Sequence, residues 1–264
     1  MSFLDALDRP SPLDSQIEAQ TRDLDWTLAH FTFVANVTTL ATECDIAHSP
    51  VMSVASCRGL PQFALAFMGS SADLLATYAT FLTDPGSEVD LLVNDGQRAI
   101  VEEAFEVSQM VPQWQMLFQG DPDDVPTERA TQLADNDFSA VQALARAEGY
   151  PLCSYSQEPF THGPAYGVWE RRRLVAMGTT ALCVPGAAQI DNVLTHSDYR
   201  RRGYASRVVG ALIAAHRAEG RHVFAVVGQA NDSALQFFES LGFVRARPMY
   251  RMHCVLHAME SVSL

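Results

Sequence analysis

Residues 187–228 constrain the fold of this chain more than any other segment does. Two strand candidates, "AQIDNVLT" and "HVFAVVG", lie on either side of an amphipathic helix candidate, "ASRVVGALIAAHRAEG". A connection of this length between two strands is typical of a parallel pair. The helix repeats its apolar residues at helical spacing, which predicts one buried face. That face comprises Val208, Val209, Leu212, Ile213 and Ala215, with Arg207 and Arg217 outside it.

The neighbouring segments extend this unit into a mixed sheet. Ahead of it we predict a short strand, "RATQL", a helix, "DNDFSAVQALARAEG", that Asp135 or Asp137 caps and Gly149 ends, and two antiparallel strands, "AYGVWE" and "LVAMGTTALCV". After it come a helix, "DSALQFFESLGF", and a strand, "RARPMYRMHCVL". This order predicts an α/β fold in which helices cover both faces of a mixed sheet.

A linker candidate divides the chain near its middle. The segment "QGDPDDVPTER", Gln119 to Arg129, combines two prolines, a glycine and clustered aspartates. It predicts two domains, residues 1–122 and residues 127–264. The first domain has a fainter version of the same element order, with Gly69-Ser70-Ser71 before one helix and Asn94-Asp95 before the next, but it lacks the arginines described below.

We therefore interpret the first half as a degenerate repeat whose anion site has been lost or altered. The alternative is an unrelated α/β cap with a long N-terminal helical region from about Leu13 to Glu43.

Charge is divided unevenly along the chain. Residues up to Glu128 include 20 acidic and 4 basic side chains, a net charge of −16, whereas the remainder includes 11 acidic and 14 basic ones, a net charge of +3. All 18 basic residues are arginine, which excludes a catalytic lysine. The acidic pI of about 4.9 disfavours nucleic acid as a partner.

The cysteine pattern and the apolar runs suggest a location. The five cysteines, Cys44, Cys57, Cys153, Cys183 and Cys254, form no C-x-x-C pair, so we expect neither a disulfide framework nor a metal site. The acidic start of the chain is not typical of a signal peptide, and no uninterrupted apolar run is long enough for a membrane span. A reducing cytoplasm and no membrane partner are therefore expected.

An anion site is expected where the strand "AQIDNVLT" leads into the helix. The N–H groups of a helix start can receive phosphate oxygens, and a glycine lets the ligand approach the backbone closely. Gly203 and Ala205 are the small residues here, and Arg200, Arg201 and Arg202 provide positive charge. A ligand with a pyrophosphate and a further phosphate would suit this arrangement.

The pattern Arg-x-x-Gly-x-Ala between a strand and an amphipathic helix resembles the acyl-CoA-binding motif of the GNAT acetyltransferase superfamily. The resemblance continues downstream with N-x-x-A at Asn231 and Ala234 and with L-G-F at residues 241–243, and it covers roughly Arg129 to Cys254. It implies the GNAT acyl-CoA N-acyltransferase fold, in two tandem GNAT-like domains of which the C-terminal one is catalytic.

The resemblance also implies which residues bind acetyl-CoA, the expected co-substrate. Backbone groups of Val193, Leu194 and Thr195 would contact the acyl-pantetheine arm, and Asn231 would face it. The loop and helix start would hold the pyrophosphate. These residues are Arg200, Arg201, Arg202, Gly203, Tyr204, Ala205 and Ser206.

The catalytic positions depart from the family pattern. Many family members have a tyrosine that protonates the departing thiolate, and this chain has Phe238 at that position. Asp191 interrupts an apolar strand and is our candidate base, acting directly or through water, although a structural role paired with an arginine or a backbone group is an equal alternative. Gln189 occupies the position of the glutamate used by histone-acetylating members, so that mechanism is not expected.

These features favour an acetyl-CoA-dependent N-acetyltransferase that acts on a primary amine. The acidic first half suggests a small cationic acceptor, such as a polyamine or an aminoglycoside-like compound, unless its carboxylates only maintain solubility. A homodimer is compatible with the sequence. The competing function is a non-catalytic acyl-CoA-binding or regulatory module, which the phenylalanine at position 238 favours.

Overall fold

The computed structural model describes residues 17, 19–39, 44–57, 65–84, 86–150, 160 and 162–256. The chain forms two compact units, one of residues 1–114 with 247–264 and the other of residues 115–246. This division differs from the predicted domains, 1–122 and 127–264, because the last strand groups with the first unit rather than with the second. That the first domain is a degenerate repeat stays a prediction.

The first unit includes the following helices and strands among its described residues. They are α1 (Leu24–Ala29), α2 (Phe31–Thr39), β1 (Cys44–His48), β2 (Met52–Cys57), β3 (Leu65–Gly69), α3 (Ala72–Leu82), β4 (Glu88–Asn94) and α4 (Asp95–Ala104). The strand that follows, β5 (Glu106–Phe118), begins in this unit and ends in the other.

Two strand groups form the sheets of the first unit. β1, β2 and β3 pair consecutively and antiparallel. β4 pairs antiparallel with the end of the final strand, from Asn94 opposite Met249 to Glu88 opposite Val255. Apolar side chains from β2, β3, β4, α3 and that final strand form one buried core.

The first unit corrects two expectations. β1 was not predicted, and in it Cys44 lies opposite Cys57 of β2, where the two form a disulfide. The expectation of no disulfide is therefore wrong, and cysteine usage no longer supports a reducing compartment. Of the region expected to be helical from about Leu13 to Glu43, much falls in α1 and α2, and residues 13–16, 18 and 40–43 lie outside the described ones.

The second unit has the expected element order. After the end of β5 it contains β6 (Ala130–Gln132), α5 (Phe138–Ala147), β7 (Ala165–Glu170), β8 (Arg173–Val184), β9 (Ala187–Thr195), α6 (Tyr204–Ala218), β10 (His222–Gly228), α7 (Asp232–Ser240) and the start of β11 (Phe243–Val255). Its strands lie in the order β10, β9, β8, β7, β6. β9 and β10 are parallel and the other pairs antiparallel, which confirms the mixed sheet.

Helix α6 packs on this sheet through the predicted face, with one exception. Four of its five predicted core residues are buried, whereas Ala215 is half-buried and its neighbour His216 is fully buried instead. Gly178 of β8 permits the close packing, since a Cβ there would lie 2.8 Å from Val208 Cγ1. On the other side of the helix, a Cβ on Gly210 would lie 2.3 Å from the Pro126 carbonyl oxygen. These close contacts position the first half of α6 against β8 and against the segment at Pro126.

No described helix is both long and apolar enough to cross a membrane.

Candidate functional site

The site begins where β9 separates from β10. The two strands pair in parallel only from Ala187 to Gln189, opposite His222 to Phe224. Beyond Gln189, β9 retains its partner on the other side, because Leu194 and Thr195 pair with Met177 and Ala176 of β8. The edge of residues 193–195 that faces away from β8 therefore has no strand partner among the described residues. Its backbone groups can bind a ligand, apart from the Thr195 carbonyl, which accepts from Arg200.

An extra residue in β9 marks the point of separation. Between Asp191 opposite Thr179 and Leu194 opposite Met177, β9 has one residue more than β8, which is a β-bulge. Asn192 lies at the bulge with a φ of 52°, in the left-handed region. Its side-chain Nδ2 donates to Thr179 Oγ1 at 3.0 Å, so the bulge is held by side chains.

Asp191 belongs to this bulge. Its Oδ1 accepts the Asn192 N–H at 2.7 Å, and its carbonyl accepts from the Thr179 hydroxyl at 3.3 Å. Burial raises the pKa of the Asp191 carboxyl, and the Asn192 N–H offsets only part of that effect. Asp191 does not line the groove described below. Asp191 therefore has the backbone partner that a structural role requires. Its carboxyl nevertheless has a raised pKa, as a candidate base would.

The loop after β9 turns into α6 through a left-handed glycine. Gly203 has a φ of 73°, and α6 begins at Tyr204 with no side chain capping its first turn. The atom nearest to a Cβ added at Gly203 would be Arg207 Nη1, at 3.4 Å, so the glycine is required for its backbone angle rather than for space. The uncapped N–H groups of α6 are available to an anion.

The three arginines of the loop have three different environments. Arg200 donates from Nε to the Thr195 carbonyl at 3.1 Å and pairs with Glu148 through Nη2. Arg202 donates to the Asp198 carbonyl at 2.9 Å and stacks over the ring of Tyr199. Arg201 is exposed and makes no ion pair or hydrogen bond to any residue that the structure describes.

Glu148 was not predicted as part of this site. It follows the last residue of α5, and its Oε1 accepts the Ser197 N–H at 2.8 Å. Burial alone would raise the pKa of the Glu148 carboxyl, but the Ser197 N–H and the Arg200 guanidinium together hold it below its usual value. This carboxyl is therefore ionised at neutral pH.

Tyr204 contributes differently from the expectation. Its ring is buried, and its hydroxyl donates to Glu170, which also accepts from Arg129 Nη2 at 2.6 Å. The hydroxyl bond and the guanidinium keep the pKa of the Glu170 carboxyl low. With its hydroxyl engaged in this way, Tyr204 lines the site through its other atoms.

These elements surround an open groove of about 700 Å³. Of the predicted binding residues, Arg202 alone is not part of its lining. The lining residues are Val193, Leu194, Thr195, Tyr199, Arg200, Arg201, Gly203, Tyr204, Ala205, Ser206, Asn231, Ser233, Ala234, Phe237 and Phe238. Five of these were not predicted as binding residues, namely Tyr199, Ser233, Ala234, Phe237 and Phe238. The last four lie on α7, and their helical spacing from Asn231 could have indicated them.

The side chains of the groove are partly unpaired. Thr195 Oγ1 is buried and has no hydrogen-bond partner among the described residues. Asn231 caps α7 by accepting the Ala234 N–H at 3.1 Å, which leaves its amide nitrogen for a ligand. Phe238 is buried beside Phe237 and Phe243, so an aromatic ring without a hydroxyl occupies this wall.

A second cavity of the same unit has the opposite character. It has a volume of about 610 Å³, and its lining includes Asp135 and Glu219 but no arginine. Carboxylates repel phosphates, so the arginine-lined groove is the better anion site.

Comparisons with known proteins agree with this geometry. Residues 165–252 match the family model described as FR47-like protein. The solved structure of a GNAT-family acetyltransferase from Novosphingobium aromaticivorans DSM 12444 matches the chain with a TM-score of 0.66 and 24% sequence identity. The match covers 86% of this chain and 96% of that one. The chain has the GNAT fold. The resemblance inferred from the Arg-x-x-Gly-x-Ala pattern is confirmed.

Other solved structures extend the GNAT likeness over both units. A GCN5-related N-acetyltransferase from Kribbella flavida has a TM-score of 0.61 at 13% identity, with 86% of this chain and 95% of that one covered. A tandem GNAT protein from the clavulanic acid biosynthesis pathway has a TM-score of 0.56 at 15% identity, with 82% and 84% covered. None of the curated proteins matches the chain. Together these findings support the GNAT fold for the chain.

Proposed function

We propose that the protein is an acetyl-CoA-dependent N-acetyltransferase whose active site is the groove of the second unit. One arrangement supports the proposal most strongly. The uncapped start of α6 lies beside Arg201 in the groove, next to the end of β9, where the strand edge facing away from β8 is unpaired. The helix start and the arginine suit a pyrophosphate, and the open edge suits an extended amide chain.

Each part of acetyl-CoA has a matching set of groups. The first N–H groups of α6, at Tyr204, Ala205 and Ser206, would bind the pyrophosphate, and Arg201 would supply positive charge. The open edge of residues 193–195 would bond the pantetheine amides. Thr195 Oγ1 and the Asn231 amide nitrogen, which make no hydrogen bond to a residue that the structure describes, would complete the pantetheine contacts.

In the proposed reaction a neutral amine attacks the thioester carbonyl, the carbon–sulfur bond breaks, and the thiolate leaves. A β9 N–H would stabilise the oxyanion of the intermediate. Phe238 has no proton to give the thiolate, so water would provide that proton. Asp191 remains the candidate base, acting through water, because burial brings the pKa of its carboxyl closer to neutrality.

Release of CoA thiol from acetyl-CoA tests the function directly. The full chain should bind acetyl-CoA in calorimetry and release thiol when a pool of amines is added. Binding without amine-dependent release would favour the non-catalytic module, for which Phe238 is the supporting observation. No binding at all would reject the assignment.

Asp191→Asn tests the base. If Asp191 removes a proton from the amine, kcat should fall about tenfold or more, and the low-pH limb of the rate profile should change, because the wild-type carboxyl becomes protonated as pH falls through its raised pKa. Thr179→Val is a matched control for the bulge, since Thr179 bonds Asn192 and the Asp191 carbonyl. Equal losses in both variants, with unchanged pH profiles, would assign Asp191 to the bulge alone.

We further propose that the acceptor is a small cationic amine and that the protein consists of two tandem GNAT-like domains. The expected cytoplasmic location stays a proposal that the Cys44–Cys57 disulfide does not favour. The net charge of −16 up to Glu128 supports the cationic acceptor, and the likeness to a tandem GNAT protein supports the tandem arrangement. For a cationic amine, kcat/KM should fall as salt rises to physiological strength, because ions screen charge steering over about 8–10 Å. Salt-independent kinetics, or a preference for an anionic amine, would contradict the acceptor class.

A further inference from the structure

Glu148 connects a helix end to the loop that precedes α6. One carboxylate oxygen accepts the Ser197 N–H at 2.8 Å, and the other accepts from Arg200 Nη2. The Glu148 side chain is only 7% exposed, whereas Arg200 is 60% exposed. The carboxylate is therefore the fixed partner, and the arginine is held against it.

Arg200 carries this connection on to the end of β9. Its Nε donates to the carbonyl of Thr195, the last residue of the strand. Glu148, Arg200 and Ser197 thus link three parts of the unit, namely the end of α5, the loop and the end of β9. Two further loop carbonyls, those of Asp198 and Arg202, accept from Arg202 and Arg207 respectively.

The helix itself does not account for a glutamate at this place. The C-terminal end of a helix carries partial negative charge, so a carboxylate just beyond α5 is unfavourable for the helix. The carboxylate is compensated by the loop instead, through the Ser197 N–H and the Arg200 guanidinium. Its contacts point to a role in the loop.

We propose that Glu148 is a positioning residue for acyl-CoA binding. Acting through Arg200 and Ser197, it fixes the loop so that the N–H groups of α6 face the phosphates. Because Glu148 offsets its charge, Arg200 serves mainly as a strut, by which we mean a side chain that links Glu148 to the Thr195 carbonyl. Arg201 is the cation that attracts the phosphates. This inference rests on the proposed function for its ligand, but the effect on the loop does not depend on any ligand.

The first test therefore uses the unliganded protein. In Glu148→Gln, backbone amide exchange over residues 197–203 should be at least about tenfold faster than in the wild type. A glutamine has no charge and only one acceptor oxygen, so it cannot satisfy both the Ser197 N–H and the Arg200 guanidinium. Exchange in β7 and β8 should stay unchanged. Unchanged exchange in the loop would overturn the proposal whatever the protein binds.

The second test is a double-mutant cycle read by calorimetry with acetyl-CoA. Glu148→Gln and Arg200→Gln should each raise Kd about tenfold, and the double variant should be no weaker than either, because both changes remove the same strut. Arg201→Gln should raise Kd by a similar factor and should add to Glu148→Gln. In turnover, Glu148→Gln should raise the KM for acetyl-CoA with little change in kcat.

Glu219→Gln is the matched control, because Glu219 pairs with Arg221 in the same unit, away from the groove. It should bind acetyl-CoA as the wild type does. Additive losses in Glu148→Gln and Arg200→Gln would show that Arg200 binds the phosphates itself and would overturn the strut. A wild type that fails to bind acetyl-CoA while Glu148→Gln still loosens the loop would reject the proposed function alone.

Discussion

Two helices of this protein begin after a strand and a left-handed glycine, and they begin in different ways. In the first unit, Gly69 precedes α3, whose start is capped by Ser71 Oγ accepting the Leu74 N–H, with Asp73 in the first turn. In the second unit, Gly203 precedes α6, whose first turn has no side-chain cap and no acidic residue. At the start of α3 a side chain satisfies one N–H group, whereas at the start of α6 no side chain does so, and the N–H groups are left to a ligand.

The asparagines that open the next helices repeat this difference. Asn94 uses both ends of its amide, with Oδ1 accepting the Gln97 N–H and Nδ2 donating to the Ala29 carbonyl. Asn231 uses only its oxygen, for the Ala234 N–H, among the residues that the structure describes. The two units thus have similar residues at these helix starts. They differ in whether the polar atoms there form hydrogen bonds within the protein. This difference supports the interpretation that the first unit has lost an anion site.

The largest expected effect comes from a charge placed at the open helix start. Gly203→Glu should weaken acetyl-CoA binding by at least about a hundredfold, because a carboxylate at the helix start would occupy the phosphate position and repel the ligand. Isothermal calorimetry on the full chain measures this change.

Gly203→Ala is its control. A φ of 73° strains any L-residue by about 1 kcal/mol, while the nearest atom to the added Cβ lies at 3.4 Å. The alanine variant should therefore lose some stability and keep most of its affinity. If glutamate and alanine weaken binding equally, backbone strain rather than charge explains the loss, and the contrast between the two helix starts would not concern anions.

Two histidines, one in each unit, provide the next prediction. Burial lowers the pKa of His216 to about 4, and its Nε2 bonds Thr180 Oγ1 at 2.8 Å. His253 has a raised pKa, because Asp90 accepts from its Nδ1 at 2.8 Å and Glu88 lies nearby.

The signs of their contributions to stability are opposite. The unfolded chain protonates His216 near pH 6.5 and the folded one near pH 4, so up to about 3 kcal/mol of stability present above pH 6.5 is lost as pH falls to 4. The His253 contribution is present below its unfolded pKa and is lost as pH rises through its folded pKa. Urea unfolding from pH 4 to 8 should show His216→Gln flattening the acid side and His253→Gln flattening the neutral side. If the free energy of unfolding of His216→Gln falls between pH 6.5 and pH 4 as steeply as that of the wild type, this prediction is contradicted.

The sequence predicted local features better than distant contacts. The α6 helix, its glycine and Asn231 follow from periodicity and spacing within one segment, and α3 begins directly after Gly69-Ser70-Ser71, as predicted. The Arg200 contact with Glu148 joins residues 52 apart, and no local pattern indicates it. Cys44 and Cys57 were missed for the same reason, since β1 must pair with β2 before they meet. Burial of His216 rather than Ala215 depends on the rotation of α6 against Thr180, which spacing alone does not define.

The smallest expected effect concerns the start of α3, which Ser71 caps. Ser71→Ala removes the cap of α3 and should lower the free energy of unfolding by about 1 kcal/mol or less, since the Ser71 Oγ to Leu74 N distance is 3.4 Å. Ser70→Ala is the matched control, because Ser70 is exposed and does not cap the helix. Neither variant should alter the affinity or the stoichiometry of acetyl-CoA binding, because Asp73 would still repel a phosphate there. A second equivalent of acetyl-CoA bound by Ser71→Ala in calorimetry would mean that one hydroxyl alone closes the site of the first unit. The two helix starts would then differ by their caps, and the missing arginines would not be needed to explain the difference.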